Sequence, residues 1–365
     1  MGGQSHVMPR FDAPVQAGTQ AVLHLEELIA GDLDPQRTGF GWWAGYSTMS
    51  PEDRGWLSYY LTGAVAGIGS NLVDAAAHLA LYQDAVRREA IFYARQVRAA
   101  GGREPDMNHR NDIDELRRIT IIAERKGFFR ALGSTLDTLA ATVIGVGAIN
   151  LNLVRADWGW LCITGSEQDY PRTPGQDLSK LRKALVDDTT SGGAIQDTLL
   201  QAVRGAVRAA GPAHWDEWLG ATRNTQVHRS QWTEILVQVD RRNPEAGVHR
   251  PLPRQPQLVE GVELQTTAAM HEMLLTEDAS VTMAGLLDSV VAVVQAVTGA
   301  CEATWNRRRA DPRVLPQPFG STWLPAVVPQ FDGYDPTHAR KAFDAATAIL
   351  VSPSHAKRIT ALKRP

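Results

Sequence analysis

Arg223-Asn224-Thr225-Gln226-Val227-His228 places a permanent cation, an amide and a titratable imidazole within two helical turns. Arginine presents a planar fork of donors that suits phosphate, and histidine is the side chain best suited to moving protons near neutral pH. Together they are the minimum set for cleaving a phosphodiester without a metal. On a helix Asn224 and His228 are four apart and share a face, so the amide can orient the ring. Arg223 stands about 140° round from His228, within reach of its long side chain. The chain holds 31 Arg and 10 His, so Arg-x4-His alone is expected about once by chance. An Asn directly after the Arg lowers that expectation to roughly 0.02.

A carboxylate upstream completes the candidate site. Phe128-Phe129-Arg130-Ala131-Leu132-Gly133-Ser134-Thr135-Leu136-Asp137 opens a long apolar segment, with Asp137 in its middle. Burying an unpaired carboxylate is costly, so Asp137 either faces the surface or needs a partner. Arg223 is the partner the chemistry suggests, because the ion pair would aim the guanidinium fork. Ser134, three residues earlier on the same face, is either a hydrogen-bonding group of that pocket or an ordinary packing serine. His228 is either a proton-transfer group or a structural histidine packed on Trp215 or Trp232.

The phrase Phe-Phe…Ser-x-Leu-Asp, a tryptophan-bearing approach at His214-Trp215-Asp216-Glu217-Trp218-Leu219, and Arg223-Asn224 running to His228-Arg229 resemble the HEPN superfamily. Its members are α-helical, carry an Arg-polar-x3-His motif and are often RNases. The resemblance covers roughly residues 115–310. It implies a metal-independent endoribonuclease without cofactor, in which the ribose 2′-hydroxyl attacks the adjacent phosphorus. His228 would shuttle the proton, Arg223 would stabilise phosphoryl charge, and Asn224 would hold the ring, with Asp137 beside them. Ser134 and Arg229 would contact the RNA. It also implies a homodimer, a role as toxin or phage-defence effector, and an antitoxin or regulatory protein as a candidate partner. Ser230 stands where some HEPN toxins have a tyrosine, which removes regulation through that residue. The alternative function is a non-catalytic helical module that binds RNA, a nucleotide or a partner protein.

Composition sets bounds on these readings. At 365 residues the chain is long enough for about two domains, or one with large insertions. A net charge of −3 argues against a protein that coats nucleic acid, but leaves room for a local basic groove. Arg241-Arg242, Arg307-Arg308-Arg309, Lys357-Arg358 and Lys363-Arg364 are candidate basic clusters, and each also reads as a solvated helix end. Two distant cysteines, Cys162 and Cys301, exclude a disulfide framework or a cysteine zinc site. With no signal pattern at the N-terminus, a cytoplasmic protein is expected.

The elements that would position these residues are helical throughout. Residues 1–20 read as a poorly ordered leader, followed by a short amphipathic helix at 22–29. Ser50-Pro51-Glu52-Asp53 starts a helix that runs to about 100, with a candidate break at 67–70. Further helices are expected at 112–154, 177–188, 192–210 and 213–241. Residues 244–262 read as an ordered proline-rich insertion and 266–275 as a short helix. An amphipathic helix at 280–309 and a last one at 335–350 follow. The fold expected is an all-α, HEPN-like bundle with additional N-terminal helices and long loop insertions. Its parts are an N-terminal helical extension or cap (1–110), the HEPN-like domain (111–312), and a C-terminal loop, helix and basic tail (313–365). The apolar run 131–154 is interrupted by Asp137, Asn150 and Asn152, which marks a buried core helix, not a membrane span.

Other constellations are weaker. Asp74 and His78 share a helix face but lack a third metal ligand. Asp106, His109, Asp112 and Asp114 have no ordered metal spacing. Gly67-Ile68-Gly69 and Gly145-Val146-Gly147 lack the dinucleotide pattern and read as sites of close helix packing. No nucleophile elbow and no phosphate-binding Gly-x4-Gly-Lys loop occur. No metal is expected.

Overall fold

The computed structural model of the chain describes residues 13–33, 51–101, 112–161, 181, 183–187, 189–228, 237–238, 248–256 and 273–311, with single positions 314, 331 and 334. The protein is all-α, as its periodicity predicts. Among the described residues six α-helices carry the architecture: α1 (Ala13–Asp32), α2 (Pro51–Ala99), α3 (Asp112–Val146), α4 (Ser191–Ala210), α5 (Trp215–His228) and α6 (Ala279–Ala310). Two short 3-10 turns, Leu153–Arg155 and Trp158–Trp160, follow α3.

Helices α2 and α3 form a long antiparallel hairpin, and small residues let them approach. A Cβ at Gly67 would lie 3.3 Å from Thr138, and one at Gly145 would lie 2.7 Å from Leu61. The expected break at 67–70 is absent, because Gly67 is used for contact with α3 while the helix continues. Gly101, with φ +66, ends α2 in the left-handed region that glycine adopts without strain. Helix α1 begins nine residues before the expected start, so part of the predicted leader is helical. Its Gly18 packs against Val291 of α6 and Leu72 of α2. Along α6 the stripe Leu286, Leu287, Val290, Val291, Val294 and Val297 is buried as the pattern requires. One hydrophobic core is shared by residues of all six helices.

Three sequence expectations are corrected. Helix α3 stops at Val146, eight residues early. Ala148 turns left-handed (φ 47), and the exposed carbonyls at the helix end are met by tertiary donors. Arg308 Nη1 donates to Gly145 O (3.0 Å) and Val146 O (2.6 Å), while Gln196 Nε2 donates to Gly147 O (2.8 Å) and Ala148 O (3.2 Å). The motif helix ends at His228, and Val237–Gln238 pairs with Val248–His249 as an antiparallel β1–β2 ladder where helix was expected to reach 241. Leu274–Asp278 is strand β4, paired with β3 (Pro251–Pro253), in place of the end of a helix at 266–275. The predicted helix at 335–350 and most of that at 177–188 lie outside the described residues.

By length and composition α2 and α6 could each cross a membrane. For α6 the core accounts for the apolar stripe. The run 131–154 flagged in the sequence is buried through position 149 at all but Ser134, Asp137 and Thr138, and becomes partly exposed in the turns beyond, from Asn150 to Val154 except at Leu153.

Candidate functional site

Helix α5 lies along α3 in the same direction. Near its start Trp218 meets Phe129 edge to face, with ring centroids 6.0 Å apart, and anchors its indole N–H on Pro253 O at 3.1 Å. Five residues on, Arg223 crosses α3 over Gly133. A Cβ there would sit 2.7 Å from the Arg223 Nε and closer still to its Cδ, so only glycine admits the side chain. The guanidinium then reaches one turn further, where Arg223 Nη1 pairs with Asp137 Oδ2 at 2.6 Å. The two side chains are 28 % and 22 % exposed, so the pair sits at a partly open seam.

Asp137 is held from the other side too. The Trp158 backbone N–H donates to its Oδ1 at 3.1 Å. Trp158 is placed there by a 3-10 turn whose N-cap, Asp157, accepts from Gly159 N at 2.7 Å. Burial pushes the Asp137 carboxyl above its ordinary value; Arg223 and the Trp158 amide pull it down, while the nearby Asp157 charge adds to the rise.

Among the described residues Asp137 is the one polar partner of Arg223. Among the described residues no second acceptor meets its fork. The inner face of α5 beside it is also polar and unsatisfied: the Thr222 hydroxyl and both amide atoms of Gln226 are buried with no hydrogen-bond partner. Buried groups left in this state each cost about 1–3 kcal/mol.

The structure brings Asp137 and Arg223 together but does not join Ser134 to them. Ser134 is half-buried one turn before Asp137, and its carbonyl accepts from Thr138 Oγ1 at 2.8 Å. Asn224 is exposed. His228 is the last residue of α5, described in its backbone alone, and helical spacing puts it on the Asn224 face. Arg229 and Trp232 lie outside the described residues. Trp215, the other packing partner considered for His228, is buried and donates its indole N–H to Val207 O at 3.0 Å.

Gly133 and Trp158 did not stand out in the sequence as site residues. Gly133 left a faint signal, since a glycine inside a helix costs about 1 kcal/mol against alanine and needs a reason. Trp158 left none, because its contact is tertiary. His78 pairs across the hairpin with Glu124 (Nδ1 to Oε2, 2.7 Å), and not with Asp74. Among the described residues no group of three His, Cys, Asp or Glu side chains converges as metal ligands do; the acidic loop from 106 lies largely outside them.

No family model, curated protein or solved structure matches the chain.

Proposed function

We propose that the protein is a metal-independent endoribonuclease of HEPN type, acting in the cytoplasm as a toxin or phage-defence effector. The observation that supports this reading best is the state of Arg223: held by Asp137 at a partly open seam, with no other polar partner among the described residues. One carboxylate orients the cation without occupying all of its donors. In the reaction the ribose 2′-oxygen forms a bond to phosphorus, its proton passes to a base, and the bond to the 5′-oxygen breaks as that oxygen takes a proton. The products are a 2′,3′-cyclic phosphate and a free 5′-hydroxyl. Arg223 would offset charge on the phosphoryl oxygens, His228 would carry a proton, and Asn224 would orient its ring. Ser134 and Arg229 would contact the substrate.

One histidine serves one end of an in-line displacement, whereas the reaction needs a base and an acid. A homodimer with α5 facing its copy would bring a second His228 into the same groove. Incubation with total RNA in the presence of a chelator tests the mechanism. Wild type is expected to leave cyclic-phosphate ends, and His228→Ala and Arg223→Ala to lose about 10²–10⁴-fold in rate. Unchanged cleavage by the variants, or a requirement for divalent metal, removes this mechanism. A fully active monomer in light scattering removes the composite site.

A second reading has its own support. Asp137 already offsets part of the Arg223 charge, as suits a module that binds RNA, a nucleotide or a partner protein without cutting. Binding that depends on Arg223, with no cleavage in the same assay, favours it.

A further inference from the structure

Arg125 lies on the stripe of α3 that carries Ile121, Phe128 and Leu132 into the core, and it is only 6 % exposed. Among the described residues it has no hydrogen-bond or ion-pair partner, and its Nε is sealed from solvent. Its two terminal nitrogens are not among the sealed atoms. The stem is therefore buried while the tip of the fork remains open to approach. Other buried arginines have acceptors: Arg250 pairs with Glu89 at 2.6 Å, and Arg308 reaches two carbonyls. Glu124, the acid beside Arg125 on α3, is taken by His78.

A guanidinium cannot relieve its burial by losing a proton. A guanidinium with its Nε sealed from water and no counter-charge among the described residues is only partly compensated, so the fold carries a penalty that an arriving anion would reduce. We propose that Arg125 is the floor of an oxyanion-binding site that takes a phosphate or carboxylate group between the terminal nitrogens of its fork. Two parallel N–H···O bonds give that pair its geometry. The site is separate from the Arg223 seam, since the twelve residues from 125 to 137 span about 18 Å along α3 and about 120° around it. It does not depend on the RNA reading.

Thermal unfolding of the full chain in phosphate, acetate and chloride at matched ionic strength tests the site. For wild type the oxyanions are expected to raise Tm saturably over chloride, by about 2 °C for each tenfold increase above Kd. A larger rise with phosphate identifies a phosphoryl ligand, and a larger rise with acetate a carboxylate. Arg125→Met is expected to lose the oxyanion response and, in chloride alone, to unfold at a higher temperature than wild type. Arg125→Lys keeps the charge without the fork and is expected to respond at least tenfold more weakly. Wild type indifferent to oxyanions, or Arg125→Met responding as wild type does, overturns the proposal. So does Arg125→Met unfolding below wild type in chloride, which would mean that the guanidinium is already satisfied within the fold.

Discussion

At the C-terminal end of α3 and at its seam with α5, an arginine from a distant helix meets α3 in two different ways. At the end, Arg308 is fully buried and its Nη1 is shared between the carbonyls of Gly145, which also accepts a long bond from Ala148 N at 3.4 Å, and Val146. Gln196 completes the closure, its nitrogen donating to Gly147 and Ala148 and its oxygen accepting from Val186 N at 2.8 Å. At the seam, Arg223 keeps 28 % of its side chain exposed and meets one carboxylate. Neighbouring Gln226 and Thr222 have buried polar atoms with no partner. The first arrangement commits one terminal nitrogen of a fully buried arginine to two carbonyls, although its Nε, like the polar atoms at the seam, makes no hydrogen bond, and so ties α6 to the end of α3. The second leaves capacity unused, which is a poor way to stabilise a helix pair and a useful way to receive a ligand.

The contrast makes Arg308 the more damaging residue to remove from the fold. Arg308→Met is expected to lower unfolding stability by about 3 kcal/mol, since it removes a buried donor shared by two carbonyls and the tie between α6 and the end of α3. Urea unfolding measures this, and a loss below about 1 kcal/mol would mean that the two arginines do not differ in kind. The seam is broken more selectively through Gly133. Gly133→Ala gains up to about 1 kcal/mol of helix propensity but drives the Arg223 stem off α3. Stability is expected to change by less than about 1 kcal/mol, while under the proposed nuclease function RNA cleavage falls by about 10²-fold, the usual effect of losing one transition-state donor. Cleavage at the wild-type rate would show that the position of Arg223 is irrelevant to it.

The smallest effect is a slope with pH. The folded-state pKa of Asp137 is raised by burial, so the native state holds that proton more tightly than the unfolded chain does. Its contribution to stability is fully present below the ordinary carboxylate range and is lost as pH rises through the raised value. The stability of wild type relative to Asp137→Asn is therefore expected to decline across that window. A rise instead would show that Arg223 and the Trp158 amide outweigh burial.

What could be read from the sequence was whatever a single segment encodes. The stripe of α6 announced itself because branched aliphatic residues recur at helical spacing. The Asp137–Arg223 pair followed from the cost of a carboxylate in an apolar run. The start of α1 was missed because Gly18, a core position against Val291, does not register as apolar. The end of α3 was missed because its donors come from Gln196 and Arg308, 48 and 163 residues further along the chain. His78 illustrates the same limit: spacing suggested Asp74, and the hairpin supplied Glu124.

The closure of α3 by Arg308 also has a consequence in time. At ordinary rates of translation, about 5–20 residues per second, the arginine is made roughly 8–30 s after the carbonyls it will bond. A longer wait, about 14–55 s at the same rates, applies to Asp32 at the end of α1, whose Oδ2 accepts from the indole of Trp305, 273 residues later. Until α6 has been synthesised, α1, α2 and α3 present an open apolar face. The arrival of α6 then covers that face, supplies the donor to the end of α3 and pairs the Asp32 carboxylate in one docking event.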